Sequence, residues 1–406
     1  MDLLGDKGFR RLLVGQSVSS VATTALYLAL GIWAKDLTHS NALAGSVFLA
    51  LGLPTLLAPL GGHLIDRVPR RKPLLVITNA AFGGAVLSLL AIHDRHQLWL
   101  IYVIAAFAGL ATDVLGSSKG ALLKDMLPDD RLGSANALLQ TITQGSRLLS
   151  PLLGAGLYAL LGGHRLAVVV ASLFAVAALA MTAVRVTESA PEPATGRVLA
   201  GLLAGFRHVR SVPLLLQLTA AGALACGVVG LLETVAFAII DQGLHRSPSF
   251  YGVIDTVQGV GAVAGGFAAA WIMRRLGEAR ATGLGLAFIG AGTLVLTVPS
   301  LVPVLFGTIL LGFGVPVFVV AWSTSMQRYT PPRLQGRVGA AGNLALTGPQ
   351  TLSIGVGAAL IGVVDYRVLL VVIFLGMAAS AGLLLIRPAR AVLGVSELRP
   401  TPPSVA

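Results

Sequence analysis

The placement of positive charge limits the fold of this chain more tightly than any motif. Its 29 lysines and arginines interrupt a sequence that is 55% hydrophobic and 11% charged. One set of alternate gaps between the long apolar runs holds Lys7, Arg10, Arg11; Arg67, Arg70, Arg71, Lys72; Lys124, Arg131; Arg185, Arg197, Arg207, Arg210; Arg274, Arg275, Arg280; Arg328, Arg333, Arg337; and Arg387, Arg390, Arg399. The intervening gaps hold only Lys35, Arg95, Arg165, Arg246 and Arg367, while Lys119 and Arg147 fall inside apolar segments. Lysine and arginine are retained on the cytoplasmic side of a membrane. The alternation is therefore that of a chain threaded repeatedly through a bilayer. An ordinary soluble domain, with roughly 25% charged residues, is excluded.

About 20 apolar residues span a bilayer as a helix. Twelve such runs are readable: 12–34, 41–65, 73–93, 98–122, 135–161, 165–184, 213–240, 250–273, 281–299, 302–325, 338–363 and 367–386. The expected fold class is an all-α membrane protein of twelve transmembrane helices. An even count puts both termini in the cytoplasm, and the expected location is the cell (inner) membrane. The first run is too long for the 7–15-residue core of a signal peptide and reads as an uncleaved first helix. Trp33, Trp99, Tyr102, Tyr158, Tyr251, Trp271, Trp322, Tyr329 and Tyr366 fall near helix ends, where amphipathic rings favour the interface. A net charge of +12 suits nucleic acid in a soluble protein. Here the cations sit in short loops beside apolar helices, so orientation accounts for them and no nucleic-acid partner is expected. Basic loops also suit anionic membrane lipids. A lone cysteine, Cys226, rules out a disulfide within one chain.

The polar stretch from Arg185 to Arg210, with Glu188, Pro191, Glu192, Pro193 and Gly196, has linker composition and ends in the amphipathic segment VLAGLLAGFRHV. It divides the chain into an N-terminal six-helix bundle at 1–190, a cytoplasmic linker at 191–212, a C-terminal six-helix bundle at 213–390 and a tail at 391–406. The halves echo each other at an offset of 204 residues: Gly61-Gly62 with Gly265-Gly266, Pro128 with Pro332, Thr143 with Thr347. Such pseudo-symmetric halves are what parallel-repeat transporters show, with substrate bound at the midplane between them.

Between the second and third runs the chain reads Gly62-His63-Leu64-Ile65-Asp66-Arg67-Val68-Pro69-Arg70-Arg71-Lys72. This resembles the signature loop of the major facilitator superfamily, G-x-L-x-D-R-x-G-R-R-K, with Pro69 where glycine is usual; proline cannot adopt φ > 0. Ser150-Pro151-Leu152-Leu153-Gly154-Ala155-Gly156 resembles the G-P-x-x-G-G motif associated with antiporters, with Ser150 and Ala155 at two glycine positions. The segments FRRLLVGQSVSS, DLTHSNAL and PDDRLGSANALL are similar to the drug:proton antiporter branch that includes macrolide and lincosamide exporters. The resemblance implies a small residue, Gly62, where spans two and eleven cross, and a cytoplasmic gate latched by Asp66. Arg67, Arg70 and Arg71 then either pair with carboxylates or lipid phosphates, or serve only as topogenic charges. It also implies that spans three, six, nine and twelve are peripheral, and those four carry no ionisable residue in their apolar cores.

An ionisable group at the bilayer centre costs about 2.5–3.5 kcal/mol and marks a pathway or a pairing. Asp113 in span four and Arg147 in span five both lie about 15–18 Å deep at 1.5 Å per residue. Two readings stand: Asp113 carries a coupling proton and Arg147 tunes it, or the two form a permanent ion pair fixing their helices. Arg147 shares a helical face with Gln140 and Gln144. Glu233 and Asp255 lie towards the outer face on adjacent spans, where they attract a cationic drug or release protons; alternatively Asp255 is simply solvated at a helix mouth. Asp255 shares a face with Tyr251 and Gln258. Lys119 is expected to snorkel or to pair with Asp66 or Asp125. Gln16, Ser20, Thr23 and Tyr27 form one polar face, and Asn343, Thr347 and Gln350 another. Both faces either bind substrate or join helices. The small-residue runs at 259–266 and 355–360 favour close helix packing.

The expected function is secondary active export of amphipathic, drug-like small molecules by proton antiport with alternating access. Export of a siderophore, peptide or lysolipid, or uncoupled facilitation, is the competing reading. An enzyme is not expected: His39, His63, His93, His96, His164, His208 and His245 fall in loops or at helix ends without metal-binding spacing. No Walker loop is present, and no cofactor or metal is expected. The expected partners are a small-molecule substrate, protons and membrane lipids, with the chain acting as a monomer.

Overall fold

The computed structural model describes residues 6–57, 70–184, 186, 188 and 198–386, with the backbone alone for Gln140, Gln144, Arg147 and Pro151 among others. The described chain is helical throughout. The first bundle comprises α1 (Lys7–Thr38), α2 (Asn41–Gly52, prolonged by a 3-10 turn Leu53–Leu57), α3 (Arg71–Leu87), α4 (Leu98–Met126), α5 (129–161) and α6 (163–182). The amphipathic α7 (Val198–Ser211) precedes the second bundle. That bundle comprises α8 (Pro213–Gly243), α9 (Tyr251–Leu276), α10 (Glu278–Val295), α11 (Leu301–Arg328), α12 (Gln335–Leu360) and α13 (Tyr366–Ile386). Twelve spans in two six-helix bundles are thus present.

With no water in a bilayer core, each backbone N–H and C=O must be satisfied inside its own helix. Polar side chains then mark the ends. Asp6 Oδ1 accepts from Phe9 N at 2.9 Å and Ser40 Oγ from Leu43 N at 3.3 Å. Pro213 occupies the first turn of α8, where its missing N–H costs nothing. The fourth span runs past its apolar stretch to Met126, because helix geometry does not stop where the apolar residues do. Eight helical stretches, one of them running through the end of α5 and α6, are apolar and long enough to cross a membrane. Of the remaining spans, α10 and α12 carry polar residues such as Glu278, Arg280, Asn343 and Gln350, and α2 tightens into a 3-10 turn.

Two glycines reverse the chain. Gly162 (φ 75°, ψ 169°) stands between α5 and α6, and Gly277 (φ 77°, ψ 166°) between α9 and α10. Only glycine adopts such angles freely. Gly15 meets Ala177 and Met181, Ala25 meets Gly154, and Trp33 meets Gly163, so α1 runs parallel to α5 and antiparallel to α6. In the second bundle α9 packs parallel to α11. A methyl on Gly261 would sit 2.3 Å from the Ile309 carbonyl oxygen and one on Gly265 2.1 Å from that of Phe313. The small-residue run at 259–266 therefore serves helix contact.

One apolar core lies among α1–α6 around Trp33, Phe82 and Phe174, and another among α8–α13 around Leu286, Phe318 and Leu370. Phe237 of α8 joins the core of the first bundle. Ile77, Leu179, Phe267 and Val302 point outward and are largely exposed, a belt that suits lipid and would be an aggregation hazard in water. The two ends of the bundles are called here the cation-rich and cation-poor faces, after the alternation of arginines.

Candidate functional site

Near the cation-poor face the two bundles are joined in layers. Outermost, Lys35 Nζ at the end of α1 donates to Asp241 Oδ2 of α8 at 2.6 Å and to the His39 carbonyl at 3.3 Å. The lysine side chain is 7% exposed and the aspartate 50%. One turn before Asp241, the Phe237 ring packs with Phe48 of α2 and Tyr251 of α9, at centroid separations of 6.2 and 5.1 Å. Phe48 and Tyr251 stack at 6.3 Å. One turn further inward Glu233 Oε2 accepts from Tyr251 Oη at 3.3 Å. Asp255, one turn below Tyr251, stands close enough to act on Glu233 electrostatically.

Small residues allow this approach. A methyl on Gly45 of α2 would lie 2.4 Å from Thr234 Oγ1, and one on Gly52 3.1 Å from Thr351 Oγ1 of α12. Gly31 faces Phe237 and Phe48, and Gly355 faces Leu49. The bundles therefore touch from the cation-poor mouth down to about the midplane.

Glu233, Asp255 and Gln258 are all half-buried. The Gln258 carbonyl is buried against Gly312 of α11. In the first bundle Tyr27 Oη donates to the Ala108 carbonyl at 3.2 Å and shares a hydrogen bond with Thr112 Oγ1, joining α1 to α4. Asp113 follows directly. It is half-buried, and its Oδ2 is buried without a hydrogen-bond partner among the described residues. The side chains of Arg147, Gln140 and Gln144 lie outside the described residues, and so does their expected relation to Asp113. Gln16 is 8% exposed. Its neighbour Ser19, beside the expected polar face rather than on it, donates to Asn79 Oδ1 of α3 at 2.8 Å. Thr23 donates back to the Ser19 carbonyl, so its hydroxyl is satisfied by its own helix.

Towards the cation-rich face, Asn343 is exposed on the wall of a cavity of about 560 Å³ between α11 and α12, with Trp322, Met326, Gln327 and Gln335. Gln350 is half-buried, and its carbonyl abuts Gly230 of α8. Of the signature loop, Gly62, Asp66 and Arg67 lie outside the described residues. Arg70 is exposed before the first turn of α3. Arg71 Nη1 approaches Asp125 Oδ2 of α4 at 3.7 Å. Both backbone N–H groups at the start of α3, of Arg71 and Lys72, donate to the carboxylate of Glu188. The counterpart in the second bundle is Glu278 with Arg328, 2.6 Å apart, linking α10 to α11. In the motif around Pro151, Gly154 lets α5 cross α1 closely: a methyl there would lie 2.4 Å from the Ala25 carbonyl oxygen. The side chain of Pro151 lies outside the described residues.

Sequence reasoning missed Lys35 with Asp241, Ser19 with Asn79, and Glu188. Each joins positions far apart in sequence, so local spacing carries no sign of the partner. Among the described residues no group of three or more His, Cys, Asp or Glu side chains is arranged to hold a metal ion.

The model of the Major Facilitator Superfamily matches residues 12–242 and 228–405. The chain is 28% identical over 325 residues to the multidrug efflux pump Tap of Mycolicibacterium fortuitum, covering 76% of this chain and 78% of that one. It is 25% identical over 154 residues to macrolide efflux protein A of Streptococcus pyogenes, a match spanning 37% of this chain and 38% of the relative. Its fold is shared with the nucleoside transporter NupG, at a TM-score of 0.77 and 13% identity, over 93% of this chain and 99% of that structure.

Proposed function

The chain belongs to the major facilitator superfamily of membrane transporters, and on that premise we propose that it exports amphipathic, drug-like small molecules by proton antiport with alternating access. The cation-rich face is cytoplasmic in this reading, both termini included, because arginines are retained there. The two bundles move about residues 191–212 as linker. The observation that carries the reading is the buried seam in which Glu233, bonded to Tyr251, stands directly beneath the aromatic layer joining the bundles. A carboxylate inside a span is costly unless it faces a partner or a water-filled cavity, and such a group marks a pathway. Glu233 and Asp255 receive a cationic substrate or protons on this side, and Asp113, whose buried Oδ2 has no hydrogen-bond partner among the described residues, carries the coupling proton. The likeness to a multidrug efflux pump and a macrolide efflux protein supports a drug as cargo.

The test uses inverted membrane vesicles acidified inside. Adding a macrolide, a lincosamide or a cationic dye should discharge the pH gradient, and an uncoupler should abolish drug accumulation. Asp113→Asn should remove drug-driven proton flux. Accumulation indifferent to the uncoupler would leave uncoupled facilitation, and no movement of any of these compounds would shift the cargo to a siderophore, peptide or lysolipid.

A further inference from the structure

Helix α7 has two unlike sides. Gly205 and Val209 are buried against α12 and its neighbours. A methyl on Gly205 would lie 2.2 Å from the Arg337 carbonyl oxygen, and Val209 packs with Leu215, Met326 and Val338. His208 Nε2 meets the Tyr329 carbonyl at 3.1 Å. These contacts fix the rotation of the helix about its axis. At 100° per residue, the opposite side then presents Leu199, Leu203 and Phe206, which are 67%, 55% and 38% exposed, and in the last turns Arg207 and Arg210, also exposed. Apolar residues and cations thus share one outward stripe, at the level where α11 ends and α12 begins.

We infer that this stripe of α7 is a docking surface for the anionic lipid of the cytoplasmic leaflet, with Leu199, Leu203 and Phe206 seated among the acyl chains and Arg207 and Arg210 on headgroup phosphates. An interfacial helix combines this apolar face with this cationic rim, and the charge complements an anionic leaflet. A soluble acidic partner matches the arginines but leaves three large apolar side chains facing a charged surface. The inference rests on the orientation proposed above, since only the cytoplasmic leaflet offers the required charge. It assigns α7 a second task beyond connecting the bundles: the membrane holds one end of the second bundle at a fixed height.

The experiment places a fluorescent bimane at Leu203→Cys, in a Cys226→Ser background, with Ala200→Cys as a second site should the first variant fold poorly. The full chain is reconstituted in nanodiscs of phosphatidylcholine with increasing phosphatidylglycerol. Nitroxides at a shallow acyl position should quench the probe while aqueous iodide does not. Removing Arg207 or Arg210 as Gln should raise the phosphatidylglycerol content needed for half-maximal quenching roughly fivefold per arginine. Iodide quenching without nitroxide quenching would overturn the inference in favour of a cytoplasmic face, and shielding from both would overturn it in favour of a protein cover. Neither readout depends on transport. Lost quenching with intact drug efflux therefore sinks this inference alone, and lost efflux with intact quenching sinks the proposed function alone.

Discussion

The two ends of the molecule are held by charge in opposite ways. At the cation-poor end an ion pair crosses from one bundle to the other, Lys35 to Asp241, above an aromatic layer drawn from α2, α8 and α9. Towards the cation-rich end the described ion pairs stay within one bundle: Arg71 with Asp125 in the first, Glu278 with Arg328 in the second. Glu188 likewise binds the start of α3 within its own half. Bonds inside a bundle make it a rigid body, whereas bonds between bundles set which conformation the pair adopts. Rigid bodies that part at one end and close at the other are the known mechanics of such transporters. Here the closing contacts are at the cation-poor mouth.

The sharpest way to break this contrast is to wedge the seam. Gly45→Leu drives a side chain into Thr234 and should disfavour the closed state by about 3 kcal/mol, at the upper end of overpacking costs. The rate at which maleimide modifies Thr351→Cys, buried in the closed seam, should rise about a hundredfold; an unchanged rate would mean that this contact does not hold the bundles closed. Next in size is the hydrogen bond beneath the aromatic layer. Tyr251→Phe keeps the ring and deletes the donor to Glu233, a loss of about 1–3 kcal/mol for a buried group left without its partner. A double-mutant cycle with Glu233→Gln should be strongly non-additive for drug-driven proton flux, and simple additivity would separate the two residues functionally.

Lys35→Ala should cost roughly 1–2 kcal/mol of seam closure, because the pair lies between the exposed and the buried regimes. Exchanging the charges, Lys35→Asp with Asp241→Lys, should restore most of it, read by the same cysteine labelling. By contrast, Glu188→Ala removes the acceptor at the start of α3 and should lower thermal stability by about 1 kcal/mol while leaving labelling of the seam as it was. The smallest effect belongs to Arg328→Ala. Its side chain is 66% exposed, and an exposed pair contributes about 0–1 kcal/mol; a marked transport defect there would mean that the pair acts across the bundles after all.

The division of these roles was only partly legible in the sequence. The alternation of cations and the lengths of apolar runs locate the spans, because bilayer thickness and helix rise are fixed by physics that every span obeys. The same alternation reads Lys35 as a charge on the minority side and nothing more; its partner stands 206 residues away, and only packing brings them together. The polar face of α1 is similar. Periodicity marks Gln16, Thr23 and Tyr27 as one side of a helix but does not say what stands opposite, so it leaves Tyr27 free to face a cavity when the hydroxyl in fact reaches α4. The proximity of Glu233 and Asp255 was inferable because both lie near the ends of consecutive helices. The Tyr251 hydroxyl that Glu233 accepts from is reached only across the turn between the two helices.

The reversals at Gly162 and Gly277 have a mechanical corollary. Each joins its two helices through a single non-helical residue, so α5 with α6, and α9 with α10, behave as stiff hairpins without slack at the elbow. Whatever bending a transport cycle demands must be taken up at longer connections. A residue added inside either flanking helix and kept helical would turn everything beyond it by about 100°, presenting its greasy stripe and its packing stripe to the wrong neighbours.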